Sequence, residues 1–173
     1  MKNLWTPWRM AYIEEKAPSE KGCIFEAGTG KSYEKESLLL YRDALIVVLL
    51  NRFPYANAHL LIAPCRHVGD ICDLYEEESA ALFDMTKESV TILRKHKNPD
   101  GFNIGLNLGT VAGAGHPEHL HYHVVPRWEG DHNFMTVLAE VRTIPEHIEN
   151  TFDLLLPDFQ ELLDKNGVHE SNY

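Results

Sequence analysis

The sequence predicts an α+β domain with about five antiparallel strands, one long helix and a second helix near the C-terminus. Three observations lead to this prediction. The 173 residues suffice for one compact domain and are too few for two of ordinary size. Five short runs of apolar and β-branched residues have the length of strands. One segment in the middle of the chain has a long helical period, so we expect helices and strands around a single core.

The first three predicted strands follow one another closely. The polar, glycine-bearing segment 26–37 is typical of a loop, and a first apolar run follows it at 38–41. The next two runs lie at 44–51 and 58–64 and are separated by a loop that contains proline. Both connections are short, which predicts antiparallel hairpins.

The long helix is predicted at 74–96, where apolar residues recur on one face while the first-turn acidic residues lie mostly elsewhere. Acidic residues in its first turns and basic residues in its last match the helix dipole. Two more strands follow at 101–109 and 119–125, joined by a glycine-rich loop. A second helix is predicted within Pro145–Asp164. Its inward residues are expected to be Ile148, Phe152, Leu155 and Phe159.

The charge balance limits the class of partner. Sixteen basic and twenty-six acidic residues give a net charge of −10, which argues against binding to nucleic acid or to an anionic membrane. The segment 1–10 lacks the apolar run of a signal peptide or spanning helix. Three cysteines are too few for a disulfide framework. We therefore expect a cytoplasmic protein that binds a small molecule at a local site.

Three histidines alternate with apolar residues in the last predicted strand, as "HLHYHVV". The period of two places His119, His121 and His123 on one face and turns Leu120, Tyr122 and Val124 toward the helices. All three imidazoles could then reach one small anionic group.

Two kinds of chemistry fit this pattern. The histidines could chelate Zn²⁺ in a zinc hydrolase. Alternatively, one neutral imidazole could act as a nucleophile. The surroundings favour the nucleophile, because the glycines of the loop Gly109–Gly115 allow backbone N–H groups to approach a phosphate. Arg127 adds a cation that could pair with phosphate oxygens.

The run "HLHYHVV" resembles the signature of the histidine triad (HIT) superfamily. The resemblance continues through "LLNRFPYANAHLLIAPCRHVGDICDL" and "GFNIGLNLG" and covers about residues 23–131. An N-terminal arm of residues 1–22 and a C-terminal extension of residues 132–173 complete a single HIT domain. The pieces "LWTPWRMAYI" and "HVVPRWEGDHNFM" look like a bacterial branch near diadenosine tetraphosphate phosphorylases and akin to fragile-histidine-triad hydrolases.

The resemblance implies a HIT-like fold and a nucleotide hydrolase or nucleotidyl transferase, commonly a homodimer. Substrates would be dinucleoside polyphosphates or related adenylyl compounds. His121 would attack the α-phosphorus and form a covalent nucleotidyl-histidine, a strategy that divides one exchange into two easier displacements. His123 would contact phosphate and help the leaving group, and His119 would orient the strand or bind a structural metal ion.

The resemblance also implies residues that bind the nucleotide. Asn51 matches an asparagine at the ribose, and Asn107 precedes the phosphate-binding loop. That loop supplies Gly109, Thr110, Gly113 and Gly115. The large aromatic residues Trp5, Trp8 and Trp128 are expected to be core or interface anchors.

Many relatives bind zinc through a Cys-x-x-Cys pair and two histidines. Here the pair is "CIFE", so Glu26 stands where the second cysteine would be. A site formed by Cys23, Glu26, His67 and His119 is chemically possible because zinc accepts carboxylate oxygen. Such zinc would be structural and not required for the chemistry. Otherwise Cys23 would be a small buried apolar residue.

One further difference lies before the third strand, where relatives have Gly-His and this chain has Ala58 and His59. We expect the fold to tolerate it. Two alternatives to the covalent enzyme remain open: the zinc hydrolase, and a nucleotide-binding or scaffolding protein with little catalysis.

Overall fold

The structure is a computed structural model that describes residues 22–26, 30–131 and 146–170, with side chains as far as residue 166. Within these ranges the chain forms five strands and two long helices. The strands are β1 (Leu39–Arg42), β2 (Ile46–Leu50), β3 (Leu60–Pro64), β4 (Gly101–Leu106) and β5 (Tyr122–Arg127). The helices are α1 (Glu76–Lys97) and α2 (Ile148–Glu170). Single 3-10 turns lie at Ile24–Glu26, Ile71–Asp73 and Thr110–Ala112.

The strands form one antiparallel sheet in the order β1-β2-β3-β5-β4. The central hairpin pairs without a slip from Ile46 opposite Pro64 to Leu50 opposite Leu60. The last strand, β5, inserts between β3 and β4, so the predicted histidine segment leads into the interior of the sheet. The predicted five-stranded α+β fold is confirmed.

The two faces of the sheet carry different apolar clusters. Leu60, Ile62 and Val124 pack with both helices. Leu61 and Ala63 point the other way and pack against Phe25, from the first 3-10 turn. All residues of β2 and β3 are buried because both faces are covered, which explains why these strands are continuous apolar runs in the sequence.

The first helix, α1, begins at Glu76, two residues later than the predicted segment. Its buried apolar face contains Leu82, Met85, Ile92 and Leu93. Glu76 and Glu77 are exposed, which agrees with the prediction that the first-turn acidic residues lie mostly outside, whereas Glu78 is buried. Its carboxylate accepts hydrogen bonds from the Tyr75 backbone N–H at 2.9 Å and from Arg66 Nε at 2.8 Å. The Arg66 hydrogen bond holds the pKa of Glu78 below its ordinary value.

The second helix, α2, has its predicted inward residues against the sheet. Phe152, Leu155 and Phe159 are buried and Ile148 packs beside them, which confirms that part of the prediction. The helix begins at Ile148 and continues past Asp164. The hydrogen bond between His96 Nε2 and Asp158 Oδ2, 2.7 Å long, joins the two helices.

The histidine strand begins three residues later than predicted and ends two residues later, at Arg127. β5 begins at Tyr122, so His119 and His121 lie in the segment before it. The Leu120 backbone N–H donates to Val68 O at 2.6 Å, and the His119 N–H donates to His116 O at 3.1 Å. These bonds replace sheet pairing at 119–121, and the alternation of residue types does not reveal them.

Neither of the described helices has an apolar stretch long enough to cross a bilayer. Trp5, Trp8 and the predicted helix start at Pro145 lie outside the described residues.

Candidate active site

Aromatic and imidazole rings form a row on the sheet face opposite the helices. His121 lies 5.0 Å from Phe25 on one side and 4.9 Å from His123 on the other, measured between ring centroids. Beyond His123 come His59 at 5.1 Å and Tyr55 at 5.7 Å. His123 stands opposite Leu61 in the sheet, which fixes its face. Two of the predicted triad histidines, His121 and His123, therefore have adjacent rings, and His59 lies beside His123.

His121 has a defined tautomer. Its Nδ1 lies 2.8 Å from the backbone carbonyl oxygen of His119. A carbonyl oxygen only accepts hydrogen bonds, so Nδ1 carries the proton and Nε2 keeps the lone pair. His121 is buried. The backbone thus orients an imidazole that can act as a nucleophile without a separate base.

His123 is held in a complementary state by His59. The Tyr55 backbone N–H donates to His59 Nδ1 at 3.1 Å, so the proton of neutral His59 is on Nε2. That Nε2 donates to His123 Nδ1 at 2.9 Å. The proton of His123 is therefore on Nε2, a buried atom that has no hydrogen-bond partner among the described residues.

Burial, and secondarily the neighbouring His121, lower the pKa of His123 to about 4. His123 is consequently neutral at ordinary pH and presents one N–H donor. His59 was not among the predicted site residues. The signal for it was its position directly before β3 and two residues before Leu61, which places both side chains on the sheet face of the histidine cluster.

Asn51 contacts the histidine cluster by a hydrogen bond to His59. Its Nδ2 lies 3.2 Å from His59 Nδ1, and its Oδ1 accepts the Phe53 backbone N–H at 2.9 Å. Both contacts agree with an unprotonated His59 Nδ1. Asn51 therefore stands at the histidine cluster, where the sequence predicted a ribose-binding residue.

The glycine-rich loop connects β4 to the histidine segment. Gly109 (φ 75°) and Gly113 (φ 92°) adopt left-handed backbone conformations on either side of the turn Thr110–Ala112, which favours glycine at both positions. The N–H groups of Gly113 and Ala114 are bonded within the loop, to Thr110 O and Gly109 O. Any phosphate would therefore be bound by other donors of this segment.

The ends of this loop lie near the histidines. Asn107 is half-buried just after β4, and the strand residue Gly105 stands opposite His123. A methyl group built on Gly105 would meet no atom within 4 Å, so this position leaves space beside His123. After Gly115, the His116 ring lies 6.5 Å from that of His121.

Arg127 is not brought to the histidines. It follows His123 by four strand residues, about 13 Å along β5. Its Nε and Nη2 bond to Asp131 at 2.5 and 2.8 Å, and its Nη1 bonds to Asn103 Oδ1 at 2.6 Å. The predicted phosphate contact is corrected accordingly, because two carboxylate oxygens and an amide already surround this guanidinium.

Three of the four predicted metal ligands come together. Ligand atoms of Cys23, His67 and His119 lie within 4.8 Å of one another. The Nε2 of His119 donates to Pro64 O at 2.8 Å, so its lone pair is on Nδ1, which lies 3.1 Å from Cys23 Sγ. Burial lowers the pKa of His119, which favours the neutral form that binds metals.

Glu26 lies outside this group and is connected to it by a hydrogen bond with His67. Its Oε1 is 3.0 Å from His67 Nδ1, and the group of three potential ligands does not contain it. The carboxylate accepts a hydrogen bond from His67 Nδ1–H, which places the lone pair of the neutral imidazole on Nε2. Carboxylates commonly orient ligating histidines in this way. The predicted four-residue set thus divides into three potential ligands and one carboxylate that bonds to His67. Thiolate sulfur and imidazole nitrogen are donor types that zinc binds.

Comparisons with known proteins identify the family of this chain. Residues 32–130 match the family model described as the HIT domain. A protein named AP-4-A phosphorylase from Mycobacterium tuberculosis is 38% identical over 166 residues, which cover 92% of this chain and 85% of that protein. An asymmetrical bis(5'-nucleosyl)-tetraphosphatase from Schizosaccharomyces pombe is 32% identical over 95 residues, covering 55% and 52% of the two chains.

The solved structures include a Zn-bound histidine triad family protein from Mycobacterium smegmatis. It is 27% identical, covers 74% of this chain and 87% of its own, and superposes with a TM-score of 0.59. The family match covers more than half of the sequence and agrees with the fold. The chain belongs to the HIT domain family.

Proposed function

We propose that this protein is a nucleotide hydrolase or nucleotidyl transferase that acts on diadenosine polyphosphates through an adenylyl-histidine intermediate on His121. One observation carries the proposal: the hydrogen bond to the His119 carbonyl places the His121 lone pair on Nε2, and the neighbouring His123 presents an N–H donor. The similarity to a protein named AP-4-A phosphorylase supports the substrate class.

The reaction would proceed in two displacements. His121 Nε2 attacks the α-phosphorus, a new N–P bond forms, and the bond from phosphorus to the bridging oxygen breaks with its electron pair leaving on the polyphosphate. The imidazole retains its Nδ1 proton and becomes cationic, stabilised by the His119 carbonyl. The His123 N–H donates a hydrogen bond as charge develops on phosphate oxygen. Water or inorganic phosphate then displaces His121 and releases AMP or ADP.

The substrate would lie across the histidine cluster. Asn51 would bind the ribose beside His59, and Asn107 and the loop Gly109–Gly115 with Thr110 would surround the α-phosphate. Arg127 is assigned no contact with the substrate, because Asp131 and Asn103 bond to it. Two exposed faces of this site, at Gly105 and at the loop, leave room for the polyphosphate.

Zinc would have a structural role. Cys23, His67 and His119 would hold it, and its chemistry would be to cross-link three segments that are distant in sequence. Fixing His119 also fixes the carbonyl oxygen that sets the tautomer of His121. The zinc-hydrolase alternative is less well supported, because the potential ligands found among the described residues contain only one of the triad histidines.

We also propose a homodimer in the cytoplasm. In the described parts of the chain β4 pairs only with β5, and its other edge bears the exposed Ile104, a surface that a second strand could cover. The thiols of Cys23, Cys65 and Cys72 form no disulfide, as is usual in a reducing compartment. Light scattering of the purified protein would measure the oligomeric state.

The central experiment is product analysis with diadenosine tetraphosphate, with and without inorganic phosphate. Hydrolysis gives AMP and ATP, whereas phosphorolysis gives ADP and ATP.

We expect His121→Ala to lower turnover by at least about 10³-fold, because the nucleophile is lost. His96→Ala is the matched control, since His96 bonds to Asp158 between the helices. Normal turnover by His121→Ala would refute the covalent mechanism, and nucleotide binding without any products would favour a binding protein.

A further inference from the structure

Tyr55 is an exposed aromatic residue beside a buried catalytic cluster. It lies in the loop between β2 and β3, and 44% of its surface is exposed. Its ring is nearly parallel to that of His123, with centroids 5.7 Å apart and planes at 21°. The centroid of the Tyr55 ring also lies 4.6 Å from that of the His59 ring. A large aromatic ring therefore extends the row of imidazoles toward solvent.

The side chain of Tyr55 is not needed for the hydrogen bonds that set the tautomers. The Tyr55 backbone N–H makes the bond to His59 Nδ1, so a different side chain would keep it. The loop is further held by the bond from the Phe53 N–H to Asn51 Oδ1. The aromatic side chain is thus presented at a fixed position and adds an apolar surface to an otherwise polar site.

The order of the rings indicates what this surface would contact. His123 lies between His121 and Tyr55, and its proton-bearing Nε2 has no partner among the described residues. A polyphosphate that departs from phosphorus at His121 and is hydrogen-bonded by His123 passes the next ring in the row. In a dinucleoside polyphosphate that departing chain ends in a second nucleoside.

We propose that Tyr55 forms a stacking surface for the nucleobase of the departing nucleotide and so selects dinucleoside over mononucleoside polyphosphates. This inference rests on the proposed function and assigns a specificity residue to the same site. Stacking on an aromatic ring suits a nucleobase because every base has an apolar face, and the contact buries surface that is now exposed on the tyrosine.

The test compares diadenosine tetraphosphate with adenosine 5′-tetraphosphate, which has the same number of phosphates but lacks the second nucleoside. We expect Tyr55→Leu to lower kcat/KM for the dinucleotide about tenfold, mainly through KM, and to change the value for the mononucleotide by less than about threefold. Tyr55→Phe keeps the ring and should keep the preference. Phe83→Leu is the control, because Phe83 is 68% exposed on α1, in the layer across the sheet.

Equal losses on both substrates would overturn the inference and assign Tyr55 only to holding the histidines. No loss on either substrate would overturn it as well. Calorimetric binding of the two ligands to His121→Ala, with and without Tyr55→Leu, gives the same comparison without turnover. Turnover by the unaltered protein tests the proposed function, whereas the ratio between the two ligands tests the role of Tyr55.

Discussion

The proton positions on His121 and His123 are each set by one hydrogen-bond partner, near in sequence for His121 and distant for His123. His121 is oriented by a carbonyl two residues away, but His123 depends on His59, which is 64 residues distant in sequence. The rings of His121 and His123 are neighbours, and the ring of His119 lies 4.8 Å from that of His67, measured between centroids. The alternation in "HLHYHVV" predicted all three imidazoles on one face. It could not predict which nitrogen carries each proton, because that depends on acceptors and donors that only folding brings near.

The low pKa of His123 predicts a pH dependence of stability. Its pKa is about 4 in the folded protein, compared with 6.5 for an ordinary histidine. Below pH 6.5 His123 becomes protonated in the unfolded chain but stays neutral in the folded protein. The free energy of unfolding therefore decreases as pH falls from about 6.5 toward 4. The slope from this residue is at most about 1.4 kcal/mol per pH unit.

The measurement is denaturant unfolding at several pH values for the unaltered protein and for His123→Asn. We expect the variant to lose less stability than the unaltered protein between pH 6.5 and 4, because asparagine does not titrate. His96→Asn serves as the comparison at a histidine outside the cluster. Parallel pH profiles for the unaltered protein and His123→Asn would contradict the assignment.

Ala58 adopts a left-handed backbone conformation, with φ 57°, immediately before His59. This conformation costs a residue with a Cβ about 1 kcal/mol or more, and glycine adopts it readily. We expect Ala58→Gly to stabilise the protein by up to about 1 kcal/mol and to raise Tm by about 2–4 °C. Ala63→Gly, in the buried β3, should instead destabilise it by about 1 kcal/mol. Equal destabilisation by the two variants in thermal unfolding would refute strain at Ala58.

Among the elements, the buried strands and the inward face of α2 were predictable from residue type, and the start of β5 was not. Continuous apolar runs identify β2 and β3 because both sheet faces are covered. Residues 119–121 have the alternation of a strand, yet the bond from Leu120 to Val68 holds them to the loop after β3. A pattern of side chains reports which face is buried and does not report which backbone supplies the hydrogen bonds.

In the loop after β3, Gly69 is a position where we expect substitution to destabilise the protein. A methyl group there would lie 2.9 Å from the carbonyl oxygen of Pro117, which is two residues before His119. We expect Gly69→Ala to push the two loops apart, to cost about 1–3 kcal/mol of stability, and to reduce turnover by displacing the His119 carbonyl. Gly101→Ala is the matched control, because its methyl group would meet no atom within 4 Å. Unchanged unfolding and unchanged kcat in Gly69→Ala would show that the two loops do not position the nucleophile.

At the scale of the whole molecule, the potential metal group joins three separate parts of the fold. Cys23 precedes β1, His67 follows β3 and His119 precedes β5. The sequence predicted these ligands through family resemblance, and residue spacing alone would not have grouped them, since Cys23 and His119 are 96 residues apart. A metal ion at this point would restrict the unfolded chain and fix the segment that holds His121.

Metal removal therefore separates a structural from a catalytic role. We expect the purified protein to contain stoichiometric zinc, and chelation or Cys23→Ser to lower Tm by more than about 5 °C, because one cross-link between three segments is lost. Cys72→Ser, at an exposed thiol outside the group, should leave Tm and zinc content unchanged.

Turnover should fall with chelation only to the extent that the protein unfolds, so adenylyl-His121 trapped before chelation should persist after the metal is removed. Absence of zinc, or a Tm that chelation does not change, would refute the metal site, whereas immediate loss of turnover from an intact fold would assign the metal to the chemistry.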